Sequence, residues 1–253
     1  MDIVVLAKYV PNPAGDPPEI GPDFRLRREA AGGALDPSDA PAVARAVELA
    51  REHGGTVTAL SLGPERAQQA LREALALGAD SAVLVTDTRL TGADALVTAT
   101  ALAAAIERRR FDLVLAGAES SDGATGTMPA TLAELLGLPC ATFARSLRVE
   151  AGRAIVERQT DLGHDEIECR LPLLVAVTAA VADPRRPSLK ETMAAKRAPV
   201  ELVGVADLGL DERSLAIGQA VTSVAIAPAR EAAEIVDGID APARIAGLLA
   251  ELR

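Results

Sequence analysis

The chain has 253 residues, 49% of them apolar, enough for one large α/β domain with a substantial core. One tyrosine, three phenylalanines and no tryptophan leave that core to alanine, leucine and valine, and they exclude a base-stacking platform. A formal net charge of −10 excludes general affinity for nucleic-acid phosphates or anionic lipid surfaces.

The first 140 residues alternate short apolar runs with helical patterns, as a parallel sheet covered on both faces requires. Ile3-Val4-Val5-Leu6-Ala7 reads as the first strand, residues 56–62 as the second, Ala82-Val83-Leu84-Val85 as the third and Leu113-Val114-Leu115-Ala116 as the fourth. Met1 to Leu6 carries neither a basic leader nor a cleavage site, and no stretch approaches the roughly 20 apolar residues of a membrane span. A cytoplasmic protein without membrane insertion is expected. Between the first two strands, Asp36-Pro37-Ser38-Asp39 combines an N-cap, a proline suited to the first helical position and an acid two further on, and Gly54-Gly55 closes the helix. Gly63-Pro64-Glu65 opens the next helix, which ends at Gly78. Thr91, with Asp94 three residues on, opens an alanine-rich helix that ends near Arg110.

Beyond Phe143 the texture changes. Leu147-Arg148-Val149 and Ala154-Ile155-Val156-Glu157 flank a turn at residues 150–153, which predicts a hairpin. Leu173-Leu174-Val175-Ala176-Val177 supplies a further buried strand. Pro184, Pro187 and Pro199 then punctuate a projecting loop with a short helix over residues 188–196. From residue 201 onward the chain reads as a tail ending in an amphipathic helix from Ala241, either a loose terminus or an arm that packs on another subunit. The expected division is 1–200 for the α/β domain, projecting loop 183–197 included, and 201–253 for the C-terminal tail. Cys140, Cys169, His53 and His164 lack ligand or pair spacing, so neither a disulfide, a metal site nor a catalytic histidine is expected.

The segment of residues 117–127, Gly-Ala-Glu-Ser-Ser-Asp-Gly-Ala-Thr-Gly-Thr, joins the fourth strand to a helix over Met128–Leu136. Ligands of open α/β sheets bind outside the carboxyl ends of the strands, so the position suits a site. Glycines let the backbone approach an anion, Ser121, Thr125 and Thr127 offer hydroxyl donors, and the helix start supplies free N–H groups. No lysine stands where a phosphate-transfer loop would place one, which favours holding a nucleotide over cleaving it. The composition alone equally describes an ordinary strand-to-helix connection. Asp122 is the awkward member, better suited to capping N–H groups or taking a ribose hydroxyl than to facing phosphate.

Taken together, these residues resemble the electron-transfer flavoprotein beta subunit, in the type found in actinobacteria. The resemblance starts at Ile3-Val4-Val5-Leu6-Ala7-Lys8-Tyr9-Val10-Pro11 and continues through Leu35-Asp36-Pro37-Ser38-Asp39, Leu62-Gly63-Pro64 and Leu77-Gly78-Ala79-Asp80. It is most specific at residues 117–126 and at Asp183-Pro184-Arg185, Ser188-Leu189 and Met193-Ala194-Ala195-Lys196. Asp36 in place of the usual Asn, Glu119-Ser120-Ser121 in place of an acidic run, and Arg186 depart from the pattern.

The resemblance implies a doubly wound, mainly parallel sheet with an added hairpin, a projecting recognition loop and a C-terminal arm. It implies an electron-carrier subunit and not a self-sufficient enzyme, paired with an alpha subunit that carries most of an FAD site. It also implies AMP, or a second FAD in its place, bound by this chain. The contacts carried over are Leu6, Ala7, Asp36, Pro37, Ser38, Asp39 and Leu62, then Ser121, Asp122, Gly123, Ala124, Thr125, Gly126, Thr127, Met128, Pro129 and Ala130. Tyr9 and Pro13 approach the flavin. Pro184, Arg185, Leu189, Met193 and Lys196 form the partner-recognition set, with Arg186 and Lys190 completing a basic rim. The implied partners are acyl-CoA or related dehydrogenases as donors and a quinone oxidoreductase leading to the quinone pool. The competing reading is a stand-alone adenine-nucleotide binder of the universal-stress type; an ATP-pyrophosphatase is disfavoured by prolines in the loop after the first strand.

Overall fold

The computed structural model describes residues 1–12, 19–28, 32–225 and 235–251, which form two compact units, Met1–Ala220 and Val221–Arg253. In chain order the strands of the first unit are β1 (Ile3–Leu6), β2 (Tyr9–Pro11), β3 (Gly33–Leu35), β4 (Val57–Leu62), β5 (Ser81–Val85), β6 (Leu113–Gly117), β7 (Cys140–Glu150), β8 (Arg153–Thr160), β9 (Gly163–Arg170), β10 (Leu173–Val177) and β11 (Glu201–Val203). Its helices are α1 (Ala40–His53), α2 (Gln68–Leu77), α3 (Ala95–Glu107), α4 (Met128–Leu136) and α5 (Leu189–Arg197); the second unit holds α6 (Ala241–Glu251).

Nine strands form one sheet in the order β11-β5-β4-β1-β6-β10-β7-β8-β9, parallel from β11 to β7 and antiparallel beyond. The central strands are buried on both faces, so they read as unbroken apolar runs, yet successive side chains still part to opposite sides. Ile3 and Val5 pack with Val43 and Val47 of α1 and Leu71 of α2. Val4 and Leu6 pack with Val97, Leu102 and Ile106 of α3 and Leu132 of α4. The expected doubly wound α/β fold is therefore observed, with small alanines letting helices lie close on the sheet. From β1 the chain winds outward through β4 and β5, then returns to place β6 on the other side of β1. That reversal makes the carboxyl ends of β1, β4 and β6 a topological switch point.

Local chemistry sets the helix ends. Asp94 caps α3 by accepting the Val97 N–H at 2.9 Å, so the acid itself starts the helix and Thr91 ends the turn before it. α1 opens at Ala40, not at Pro37: the N–H groups of Asp39 and Ala40 close a turn on the Asp36 carbonyl, and Pro41 occupies the first helical turn. The hairpin is present and larger than expected. β7 and β8 meet at Ala151-Gly152, both with positive φ, the geometry that matches strand twist in a two-residue turn. A third strand, β9, follows. β11 pairs with β5, so residues 201–203, expected in the arm, close one edge of the sheet. In α6, Ile245, Leu248 and Leu249 are exposed. Among the described residues no helix is long and apolar enough to cross a membrane.

Candidate functional site

At the switch point lies a cleft of about 390 Å³. Its deep walls are apolar, from Leu6, Leu60, Leu62, Leu102, Met128 and Pro129, and its mouth is polar, with Lys8, Arg28, Glu119, Ser120 and Thr125. Ser61, near the end of β4, is also among the lining residues; it is 3% exposed, and its buried hydroxyl has no hydrogen-bond partner among the described residues. A buried hydroxyl without a partner is costly.

Three carboxylates shape the loop of residues 117–127. Asp39, at the start of α1, accepts the Lys8 N–H at 2.7 Å and the Gly117 N–H at 3.2 Å, tying the ends of β1 and β6 together. A Cβ on Gly117 would stand 2.7 Å from the Asp39 carboxylate and 2.8 Å from the Ser38 carbonyl, so only glycine permits this approach. Burial pushes the Asp39 carboxyl up to about 7; the two N–H donors pull the other way, and the neighbouring Asp36 reinforces the rise. Asp36, fully buried, accepts the N–H groups of Ser38 at 2.9 Å and Ser121 at 2.8 Å.

Asp122 resolves its own awkwardness. Its side chain is 4% exposed and takes Lys8 Nζ at 2.6 Å and Arg28 Nε at 2.6 Å. Burial opposes ionisation, but these two cations hold the carboxyl below its ordinary value. The lysine missing from the loop's own sequence is thus supplied from the end of β1. Lys8 Nζ also donates to Ser120 Oγ at 2.9 Å, and an ammonium has a third hydrogen left to give.

Of the residues expected at the nucleotide, Leu6, Ala7, Asp39, Leu62, Gly123, Thr125, Gly126, Met128 and Pro129 line the cleft. Asp36, Ser38, Ser121 and Asp122 stand behind it as the bracing just described, while Pro37, Ala124, Thr127 and Ala130 do not line it. At the N-cap of α4, Thr127 makes no side-chain cap bond, and Pro129 in the first turn has no N–H, so Met128 and Ala130 carry the amides that could meet a ligand. Tyr9 lines the cleft mouth, and Pro13 lies outside the described residues. Lys8, Arg28 and Ser61 were missed, because their role comes from tertiary placement and not from any local motif. An adenylate fits these features: apolar walls for the base and glycine backbone beside an ammonium for phosphate.

A second group of expected residues gathers on α5. Ser188 and Glu191 form a reciprocal capping box, and Arg185 adds a bidentate pair to Glu191 at 2.9 and 2.8 Å, which holds that carboxyl at about 2. Arg185 therefore braces the helix start, while Arg186, Lys190 and Lys196 remain exposed. Leu189 is 80% and Met193 43% exposed, so neither is a core residue. Pro184 precedes them in the loop. Elsewhere Arg145 Nη1 lies 2.8 Å from His164 Nε2, and Cys140 and Cys169 are free thiols. No cluster of metal-ligating side chains occurs among the described residues.

The electron transfer flavoprotein domain profile matches residues 23–208. The chain is 39% identical over 242 residues to an electron transfer flavoprotein subunit beta of Mycobacterium leprae, covering 92% of this chain and 91% of that protein. It is 38% identical over 244 residues to one of Mycobacterium tuberculosis, covering 93% and 92%. It is also 35% identical over 245 residues to the Caffeyl-CoA reductase-Etf complex subunit CarD of Acetobacterium woodii, covering 94% and 92%.

Proposed function

The chain belongs to the electron-transfer flavoprotein family, on its beta-subunit side, and we propose that it works as one half of a heterodimeric electron carrier whose own cleft holds an adenylate. In this reading the alpha subunit carries most of the FAD site. The carrier takes electrons from acyl-CoA or related dehydrogenases in the cytoplasm and passes them to a quinone oxidoreductase. FAD, when bound, supplies the redox chemistry, since nothing in this chain's own side chains would carry electrons.

This chain's residues bind and orient. Apolar walls from Leu6, Leu62 and Met128 take the adenine, and Lys8 with the α4 start receives the phosphate. Exposed Leu189 and Met193 dock the donor. The arm, with α6, packs on the alpha subunit. The observation that carries the reading is the cleft at the strand ends, lined by a glycine loop that buried carboxylates brace.

The test is to co-express the chain with an alpha subunit, denature the purified complex and identify the nucleotides released. One FAD and one AMP per heterodimer is expected, and two FAD would place FAD in the adenylate cleft. A stable homodimer of this chain alone, carrying ATP, would overturn the reading in favour of a stand-alone stress-type binder.

A further inference from the structure

The last-turn carbonyls of a helix have no partner within it, and at α5 they meet a guanidinium from a distant part of the chain. Arg72 of α2 directs Nη1 to the carbonyl oxygens of Ala195 at 3.0 Å, Lys196 at 2.6 Å and Ala198 at 3.2 Å. Its positive charge sits at the negative end of the helix dipole. α2 is itself fixed to the body of the protein, with Leu71 and Ala74 fully buried against the sheet. The backbone that carries Arg72 is therefore anchored in the core. By contrast, the clamp at the start of α5, made of Arg185, Ser188 and Glu191, lies within one stretch of chain and shapes the helix without tying it to the sheet.

The faces of α5 show what Arg72 controls. Leu189 and Met193, four apart, share one exposed face, while Ala195, the buried residue of the helix, lies roughly 200° round from Met193 and rests towards α2. Rotating or tilting α5 about this contact would swing Leu189 and Met193 away from their present direction. A docking leucine contributes only if it enters its pocket at the right angle, so small errors at the helix base become losses of affinity.

We propose that Arg72 is a positioning residue for donor docking, setting through the carbonyl end of α5 the direction in which Leu189 and Met193 are presented. This rests on the reading of α5 as the docking element. In this reading Arg72 acts on the donor through α5 and not as part of the docking contact itself.

The experiment uses the assembled heterodimer with a reduced acyl-CoA dehydrogenase as donor and dithionite as a small reductant that needs no docking. Arg72→Ala should raise KM for the dehydrogenase about tenfold while kcat, the dithionite rate and the bound nucleotide stay as in the parent. Arg72→Lys, which keeps the charge and can still reach a carbonyl, should recover most of the loss, and it serves as the test variant if the alanine protein does not assemble. In a Leu189→Ala background Arg72→Ala should add less than about twofold, because the two residues act through one contact. A full further tenfold in that background, an unchanged KM in Arg72→Ala, or a parallel fall in the dithionite rate would overturn the proposal. An unchanged KM in Leu189→Ala alone would bring down the docking reading first, and this inference with it.

Discussion

The Asp36 carboxylate accepts the Ser121 N–H at 2.8 Å across 85 positions of sequence, and through this bond the start of α1 braces the loop that follows β6. The second oxygen of Asp36 holds Ser38, so both are committed. Asp36→Ala leaves two donors without their acceptor at a cost of about 1–3 kcal/mol. The expected result is a lower thermal midpoint together with loss of most bound adenylate, read by chromatography of the denatured complex. Unchanged adenylate content would separate the brace from the cleft.

Gly126 sits at φ 62°, in the left-handed region. A β-branched side chain there costs roughly 1–2 kcal/mol and moves the backbone beside the cleft. Gly126→Val should release the adenylate while the flavin of assembled heterodimers still accepts electrons from dithionite. Full occupancy in the variant would show that the loop backbone does not hold the nucleotide.

How much of this was legible in the sequence follows from where each signal lies. β1, β4, β5, β6 and β10 are buried on both faces, so each stands out as an apolar run, and α4 has its proline and glycine at the ends. β9 reads Gly-His-Asp-Glu-Ile-Glu-Cys-Arg, and its apolar face is only Ile167 and Cys169, too little to mark a strand. It is held by its ladder to β8, by Ile167 and Cys169, which pack against the core, and by cross-strand pairs such as Arg158 with Asp165 at 3.3 Å, which no single segment reveals. β2, β3 and β11 are too short to carry a period. At the site, glycine spacing marked the loop. Lys8 merely follows the first strand, Arg28 lies in a region without pattern, and Ser61 is one polar residue between two leucines; only folding brings them to one cleft.

Asp39 gives the fold a pH dependence. Its carboxyl is raised from an ordinary 3.8 to about 7, chiefly by burial. A raised acid contributes stability that is full below its unfolded value and is lost as pH climbs through its folded value. Between about pH 4 and 7 this residue should therefore make the protein less stable as pH rises. Asp39→Asn cannot ionise and removes that component, at the expense of one N–H contact. Thermal midpoints of both proteins across this range should converge, or cross, towards neutral pH. A constant difference between them would mean that Asp39 does not titrate in that window.

Leu189 offers the sharpest test of the docking surface. At 80% exposure it has almost nothing to lose from the fold when truncated, so Leu189→Ala should leave the thermal midpoint within about 0.5 kcal/mol of the parent. Burying such a side chain in a partner's pocket contributes about 1.5–3 kcal/mol, which corresponds to roughly tenfold to hundredfold in affinity. The prolines at 184 and 187 and the capping box hold the loop near one conformation, so little entropy is spent on docking. Exposed Arg186, Lys190 and Lys196 should act differently, speeding encounter with an acidic surface and losing effect in salt. Leu189→Ala should accordingly weaken transfer from a reduced acyl-CoA dehydrogenase by about tenfold or more at every salt concentration, with flavin and adenylate content unchanged. Charge removal at Lys190 should matter only at low ionic strength. If Leu189→Ala instead lowers the thermal midpoint while transfer proceeds normally, the leucine supports the fold of α5 and the donor docks elsewhere.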